Sequence, residues 1–236
     1  MTVRLLLFAF LHALGAVPLA AQPGTGQNIG KWDNQIYIKD INGRPVTAQY
    51  ADVTGFPYVL NSFKFGAIEL KNGRKFVSVP LRLNIVSHEI NFISPNKEEG
   101  FIGSDFVKEV AFADSSLDIV QVYVFRAGLP AIDNHKANEF CQVLADGKIA
   151  LIKAMVKRID TRKNDLSGEI YKEFALYEDL FSYQNGEMKR FKKDKEFILN
   201  LMQDKRALME AYFKANKGNL KNQQYLAGIF QYYNSL

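Results

Sequence analysis

Two histidines beyond residue 21, His88 and His135, are the side chains best suited to acid–base chemistry or metal binding. His88 directly precedes Glu89. Adjacent side chains on a strand point to opposite faces and in a turn they usually diverge, so this pair would hold a metal ion poorly. Ser87, His88 and Glu89 together indicate a turn, and we expect the ring of His88 to lie in solvent.

A run of oxygen- and nitrogen-bearing side chains surrounds the second histidine: Asp133, Asn134, His135, Asn138 and Glu139. Such a run hints at a cation-binding loop. A calcium loop of the EF-hand kind takes more carboxylates, at alternating positions, and a glycine at its sharp turn. This stretch has only two carboxylates and no glycine, so the sequence predicts no metal site.

Nucleophiles offer no clearer signal. Cys141 is the only cysteine, so no internal disulfide can form. We expect it to be a small buried residue, the alternative being a disulfide between two molecules. The chain has no Gly-x-Ser-x-Gly elbow, phosphate loop or dinucleotide fingerprint. A carboxylate pair for glycoside cleavage stays open, because its members would meet only in the fold. We therefore assign no catalytic and no cofactor-binding residue.

Aromatic residues are plentiful, with 18 Phe and 11 Tyr. Most are expected in the core. Ligand sites are mostly apolar with a few polar groups, so a minority of these rings could line a site for a glycan or lipid. Phe56, Tyr58 and Phe63, around a Gly and a Pro, are the best candidates for a partly exposed aromatic loop.

Positive charge is concentrated near the C-terminus. The formal net charge is +5. Residues 186–221 contain ten Lys and Arg against five Asp and Glu, which is a local excess of five positive charges. Lys189, Arg190, Lys192 and Lys193 mark this region as a candidate interaction surface, and an acidic polymer or anionic lipid surface is the kind of partner that it favours.

The first 21 residues, MTVRLLLFAFLHALGAVPLAA, have the basic start, apolar run and small-residue end of a signal peptide. An uncleaved anchor is the alternative, but the apolar run is short and contains Gly15 and Pro18. Residues 22–31 are Gly-, Gln- and Pro-rich and predicted to be flexible. No later stretch approaches the ~20 apolar residues of a spanning helix. We expect an exported protein of the periplasm or cell surface, which makes nucleic acid an improbable partner.

Residues 32–193 predict an antiparallel β-rich region. Asn42-Gly43, Asn72-Gly73, Asp146-Gly147 and Asn185-Gly186 separate β-like segments and suit two-residue type I′ turns. After the second of these turns, apolar residues alternate on one strand face: Val77, Val79, Leu81, Leu83 and Ile85. Pro80 predicts a sheet edge or a bulge there. Segments 117–125 and 148–156 are apolar on both faces, 158–168 indicate a polar loop, and 170–184 indicate a further strand.

Residues 194–236 change to a helical period and predict C-terminal helices, with Asp204 as the N-cap of the second helix and Leu208 on its buried face. A helical hairpin this small cannot bury its own apolar face, so it should pack on the sheet. The predicted fold is therefore mainly β (α+β): an antiparallel meander, either open or partly closed into a barrel, with a C-terminal helical segment packed on it.

The run GFPYVLNSFKFGAIELKNGRKFVSVPLRLNIVSHEINF resembles a pattern in an uncharacterised family of exported envelope proteins of Bacteroidetes-type bacteria. In that pattern a G-x-I-x-L-x-N-G hairpin precedes a V-P-L-R-x-N strand. The C-terminal residues from Asp194 resemble the helical end of the same proteins. The resemblance implies export and architecture, and it transfers no catalytic residue.

These observations together predict a non-enzymatic envelope protein, either a binding module or a structural and interaction module, with no cofactor. Its partner would be another envelope protein, a glycan or a lipid. Two alternatives stay open. One is a secreted hydrolase whose carboxylates or serine do not show in the sequence. The other is a small outer-membrane β-barrel, which alternating strands favour and a helical C-terminus opposes.

Overall fold

The computed structural model describes Tyr50, residues 52–115 and residues 120–236. The predicted signal peptide 1–21, the segment 22–31 and the predicted Asn42-Gly43 turn lie outside these residues. The described strands are β1 (Val53–Thr54), β2 (Lys64–Leu70), β3 (Lys75–Asn84), β4 (Glu89–Ile93), β5 (Glu99–Gly103), β6 (Val107–Asp114), β7 (Gln121–Arg126), β8 (Cys141–Ala145), β9 (Ala150–Lys163), β10 (Ile170–Gln184) and β11 (Glu187–Arg190).

All of these strands belong to one large sheet, in the order β1-β10-β9-β8-β7-β6-β2-β3-β4-β5, with β11 added beside β10. Every pairing is antiparallel except that of β1 with β10, which is parallel. The predicted mainly β fold is confirmed. The strands at the two ends of the order, β5 and β1, do not pair with each other, so within the described residues the sheet stays open and the partly closed form is wrong.

The predicted type I′ turns are correct at only one of the three described positions. Asn185 and Gly186 have φ of +52° and +81° between β10 and β11, as a type I′ turn requires. Between β2 and β3 only Gly73 is left-handed, with φ of +83°. There the Gly73 N–H donates to the Leu70 carbonyl at 3.0 Å, and the Leu70 N–H donates to the Arg74 carbonyl at 2.8 Å. This pattern is a three-residue loop with a bulge at the glycine.

A bulge also interrupts the predicted alternation of β3. The register shifts between the Gly66 and Ile68 pairings of β2, and Ser78 adopts a φ of +56°. The bulge turns Val77 outward, where 73% of its surface is exposed, whereas Leu81, Leu83 and Ile85 are completely buried. The bulge at Ser78, two residues before Pro80, confirms the bulge predicted there. Of the five aliphatic residues predicted to share a buried face, only Val77 points outward.

The β9–β10 hairpin is longer than predicted. Its strands pair from Ala150 with Tyr183 to Lys163 with Ile170, so most of the expected loop 158–168 is strand. The expected strand 170–184 coincides with β10. The first half of β9 is buried on both faces, as its composition predicted. The described part of segment 117–125 is different, since Val120 and Val122 are mostly exposed.

Three α-helices follow: α1 (Lys195–Leu201), α2 (Arg206–Ala215) and α3 (Gln223–Asn234). The side chains of Asp194 and Asn222 cap the first and third helices by accepting hydrogen bonds from backbone N–H groups. Sequence patterning misplaced the second. It favoured Asp204 as the N-cap and a buried Leu208, but Asp204 lies in a preceding 3₁₀ turn and Leu208 is 46% exposed.

The helices pack on the sheet, as predicted. Their buried side chains form one cluster with Ala145, Ile149 and Leu151 of the β8–β9 hairpin. The side chain of Asn234 at the end of α3 fastens this contact, because its amide donates to the carbonyls of Asp146 and Ile149 at 3.0 and 2.9 Å. No helix within the described part of the chain is both long and apolar enough to cross a membrane.

We predict that Gly73→Val lowers the free energy of unfolding by about 1–2 kcal/mol, because an L side chain in the left-handed region is strained. Urea denaturation measures this change. Gly103→Val is the matched control: a Cβ at either glycine meets nothing within 4 Å, and only Gly73 has a positive φ. Equal stability of the two variants would contradict the assigned turn.

Candidate functional site

The aromatic loop proposed from the sequence lies against the outer face of β3 and β4. Tyr58 is buried, Phe63 is half-buried and Phe56 is 36% exposed. The guanidinium of Arg82 on β3 lies between two of these rings, 3.9 Å from the Tyr58 centroid and 4.4 Å from the Phe63 centroid. A cation over a ring face is attracted by the ring quadrupole, so these two contacts hold the loop to the sheet.

A second cation closes the other end of the loop. The ammonium group of Lys157 on β9 donates to the carbonyls of Phe56 and Tyr58, each at 2.8 Å, and lies 4.1 Å from the centroid of the Phe56 ring. Burial lowers the pKa of Lys157. The structure therefore brings the three aromatic residues together, but the protein's own cations already contact all three rings.

The four basic residues singled out from the sequence divide into two pairs. Lys189 forms an ion pair with Glu187 at 3.1 Å, and Arg190 contacts Asp133 at 2.7 Å and Asp179 at 2.9 Å. Lys192 and Lys193 are exposed, and no carboxylate of the described residues lies within ion-pair distance of either. Only the second pair is therefore left to offer its charge to a partner.

The ring of His88 is buried, so the expectation of a solvated turn was wrong. His88 has a left-handed φ of +54°, and only 9% of its side chain is exposed. Its Nδ1 accepts a hydrogen bond from the backbone N–H of Phe140 at 3.1 Å, across 52 residues of sequence. An Nδ1 that accepts leaves the hydrogen of the neutral ring on Nε2. This ring therefore joins the β3–β4 turn to the segment that precedes β8.

His135, Glu139 and Cys141 continue the buried cluster. His135 Nδ1 lies 2.8 Å from Glu139 Oε2, and His135 Nε2 lies 3.3 Å from the Cys141 sulfur. A neutral imidazole satisfies both contacts, with Nδ1–H donating to the carboxylate and Nε2 accepting from the thiol. Local spacing did not reveal this arrangement, because its fourth member, His88, comes from a distant hairpin.

Thiol, imidazole and carboxylate stand in the order used by cysteine hydrolases. The order alone does not make a nucleophile, since Cys141 is completely buried on β8 and no surface of its sulfur meets solvent. Burial raises the pKa of its thiol, with the carboxylate of Glu139 adding to the shift. Reactive cysteines are partly exposed and have a depressed pKa, so this thiol has a structural role.

A metal ion does not fit the cluster either. His88 Nδ1 is occupied by a backbone donor, so Nε2 carries a hydrogen and has no lone pair for a metal. Across the residues that the structure describes, no group of three or more His, Cys, Asp or Glu side chains is arranged to hold a metal ion.

A cleft of about 130 Å³ opens beside the cluster, between the 133–139 segment and the outer face of β9 and β10. We call it the Glu139 cleft. Its polar lining consists of Asp133, Asn134, His135, Glu139, Arg158, Tyr177 and Asp179, and its apolar lining of Ala154, Met155, Val156 and Phe181. Four residues of the polar run 133–139 thus line one cleft: Asp133, Asn134, His135 and Glu139.

The fold and this cleft together define an open, mainly antiparallel sheet with a helical cap and a small polar pocket. No protein-family model, curated protein or solved structure matches the chain. What the protein does therefore has to be argued from its own side chains.

We predict that Cys141 in the folded protein reacts with a thiol reagent such as DTNB at least a hundredfold more slowly than in urea, because its sulfur is covered. Stopped-flow absorbance in the two solutions measures the rates. The internal control is the release of one thionitrobenzoate per chain in urea. Fast labelling of the native protein would restore Cys141 as a candidate nucleophile.

We also predict that acid destabilises the protein through His88. Burial lowers the pKa of His88 to about 4, opposed by the charge of Glu139 and assisted by those of His135 and Lys136. The unfolded chain binds this proton near the ordinary pKa of about 6.5 and the folded chain does not, so stability is complete above that pH and falls between about 6.5 and 4. The slope approaches about 1.4 kcal/mol per pH unit for one proton.

The comparison variant is His88→Asn, because Asn tolerates a left-handed backbone and does not titrate. Urea denaturation at pH 7.5, 6 and 5 should show a smaller pH dependence for the variant, even if it is less stable throughout. Parallel curves for the two proteins would mean that His88 binds its proton equally well in both states.

Proposed function

We propose that this protein is exported and acts without catalysis, as a binding module that binds an anionic partner in the cell envelope. The partner presents dense negative charge, on an acidic polymer or an anionic lipid surface. Support for export comes from the N-terminal 21 residues and from the resemblance to exported envelope proteins. Support for the mode of binding comes from the charges of the helical cap.

The observation on which the proposal rests is that the cap leaves lysines without acidic partners. Residues 186–221 hold ten Lys and Arg, and three of them, Lys189, Arg190 and Arg206, form ion pairs. Seven lysines remain with no described carboxylate at ion-pair distance: Lys192, Lys193, Lys195, Lys205, Lys214, Lys217 and Lys221.

The carboxylates of the same stretch are all engaged. Glu187 pairs with a lysine, Glu196 and Glu210 pair with Arg206, and Asp204 pairs with Lys148. Asp194 accepts the N-cap hydrogen bond of α1 at 2.8 Å. Because these negative charges are already neutralised locally or used as a cap, the lysines have no internal counterion and attract anions from outside.

Packing of the helices gathers several of these lysines. The ammonium group of Lys195, at the start of α1, lies 5.6 Å from the ring centroid of Phe213 near the end of α2. Lys192 and Lys193 precede the first helix, and Lys214 and Lys217 flank the end of the second. We call these five residues the lysine patch. The contact of Lys195 with Phe213 places the start of α1 beside the end of α2, although 25 positions separate Lys192 from Lys217 in the sequence.

A hydrolase is the second candidate, favoured by the three carboxylates that line the Glu139 cleft, Asp133, Glu139 and Asp179. Paired carboxylates are the groups that cleave glycosides. Two of the three are held by Arg190, however, and the neighbouring thiol is covered. A binding module accounts for the described groups without requiring a reactive one, so it is preferred.

We predict that Lys214→Glu/Lys217→Glu weakens binding to anionic vesicles by at least about 2 kcal/mol, since each lysine at an anionic surface contributes about 1 kcal/mol. Co-sedimentation with vesicles of phosphatidylglycerol and phosphatidylcholine measures this, and wild-type binding should fall as salt rises. Lys71→Glu/Lys163→Glu is the matched control, with the same change in net charge at exposed positions outside the cap.

Two outcomes separate the partners. Binding to the vesicles that a soluble acidic polysaccharide does not compete away indicates a lipid surface. Binding to the polysaccharide alone indicates a polymer. If the two double variants lose equal affinity, net charge alone is responsible and the lysine patch is not the binding surface. If the wild type binds neither probe, the proposal fails.

A further inference from the structure

The Glu139 cleft contains a carboxylate oxygen that the protein does not use. Glu139 Oε2 is taken by His135 at 2.8 Å. Its other oxygen, Oε1, faces the Nε2–H of His88 at 4.0 Å, which is too long for a hydrogen bond. No other described side chain donates to Oε1. Glu139 lines the cleft and keeps 17% of its side chain exposed, so this oxygen remains available to a donor that enters from outside.

The buried donor that faces Oε1 is also unsatisfied. His88 Nε2 is buried without a hydrogen-bond partner. Buried polar atoms are nearly always paired, and an unpaired one calls for an explanation. A small displacement of the Glu139 carboxyl toward His88 would pair both, but it would lengthen the bond to His135. A group in the cleft that donates to Oε1 gives this oxygen a hydrogen bond and leaves the bond to His135 in place, while the His88 N–H keeps only its long contact to Oε1.

The charge balance of the cleft favours a cation. Its lining supplies three carboxylates, Asp133, Glu139 and Asp179, and one guanidinium, Arg158. Arg190 at the rim contacts both aspartates and adds a second positive charge. Three negative charges against two positive ones leave an excess of one negative charge. Glu139 is the carboxylate without an arginine or lysine partner, so the excess negative charge lies at Glu139.

The size and the remaining walls define the rest of the ligand. A cavity of about 150 Å³ holds a molecule the size of benzene, so about 130 Å³ suits roughly six non-hydrogen atoms. Ala154, Met155 and Phe181 supply an apolar part of the lining. A short hydrocarbon with one charged donor at its end matches both surfaces.

From these contacts we infer that the Glu139 cleft binds a small primary ammonium compound. The ammonium group donates to Glu139 Oε1, and the apolar part of the ligand packs on Ala154, Met155 and Phe181. This site is separate from the lysine patch, which carries the opposite charge and selects the opposite kind of partner. The inference therefore does not depend on the proposed function.

The first experiment compares two probes of equal length on the wild-type protein. Butylamine, which is protonated at neutral pH, and 1-butanol differ in the charged head group alone. In ¹H–¹⁵N NMR spectra, butylamine should shift the amide signals of Asn134, Glu139 and Met155, and 1-butanol should bind at least about tenfold more weakly, because charge-assisted hydrogen bonds are much stronger than neutral ones. Equal shifts with both probes, or no shift of these amides, would overturn the inference.

Two variants then test the contacts. Glu139→Gln keeps the shape of the side chain and removes its charge, and it should weaken butylamine binding at least about tenfold. Glu178→Gln is the control, because Glu178 lies on β10 between the cleft residues Tyr177 and Asp179 but pairs instead with Lys153. Unchanged affinity in a folded Glu139→Gln protein would sink the assignment of the carboxylate.

Ala154→Leu covers the case in which Glu139→Gln disturbs the buried cluster. The larger side chain fills the cleft and leaves the Glu139 and His135 side chains themselves unchanged, so butylamine should no longer shift the three amides. Ala154 lies opposite Cys141 on β8, so a wild-type NMR spectrum outside the cleft is the check that the cluster is intact. Undiminished binding in this variant would show that the ligand sits elsewhere. Vesicle binding by the same variant should match the wild type, which distinguishes a failure of this site from a failure of the lysine patch.

Discussion

The first half of β9 is covered on both faces, and most of the structure depends on that constraint. Leu151 and Ile152 are adjacent, completely buried and directed to opposite sides of the sheet. Leu151 packs among the C-terminal helices, and Ile152 packs with Leu129, Cys141 and Phe181. A strand that is apolar on both sides is stable in water only when two layers cover it. The helical cap and the segment before β8 therefore have to dock for this strand to persist.

The polar cluster is a consequence of the second covering layer. The segment from Gly128 to Phe140 has little regular structure, so its backbone groups need partners other than a strand ladder. His88 supplies one of them by accepting from the Phe140 N–H, and His135 and Glu139 bind each other. Buried polar groups of this kind are costly unless paired, and once paired they fix one arrangement of the segment. The Glu139 cleft lies where this fixed segment meets the less covered half of the β9–β10 hairpin.

The sequence predicted the parts of the fold that local patterns encode. Alternating aliphatic residues located β3, and the Asn185-Gly186 dipeptide located a two-residue turn. A helical period after Lys193 located the cap. Prediction from local patterns failed where contacts with another strand or helix decide the conformation. The bulge at Ser78 is set by pairing with β2, and the buried face of α2 is set by where α1 and α3 lie. Propensity alone cannot distinguish two apolar faces of one short helix.

The candidate sites show the same limit more strongly. His88 was placed in solvent because its neighbours in sequence are turn residues, whereas its ring is covered by residues about 50 positions later. Arg190 was a candidate for anion binding because it lies in a basic run, but Asp133, 57 residues earlier, and Asp179 on the paired strand β10 neutralise it. Charge in a linear window is visible from sequence, but the counterions that cancel it depend on topology.

The parallel pairing of β1 with β10 has a consequence for the order in which the chain folds. Asp52, beside β1, reaches Lys172 on β10 across 120 residues. Closing a loop of that length costs conformational entropy before any contact compensates for it, so contacts this far apart in sequence form late. A chain that emerges from its N-terminus first would therefore hold β1 without a partner until nearly every other strand had been completed. Docking of β1 would then be a late step of folding. Its short ladder with β10 would be among the first parts of the sheet to open on unfolding.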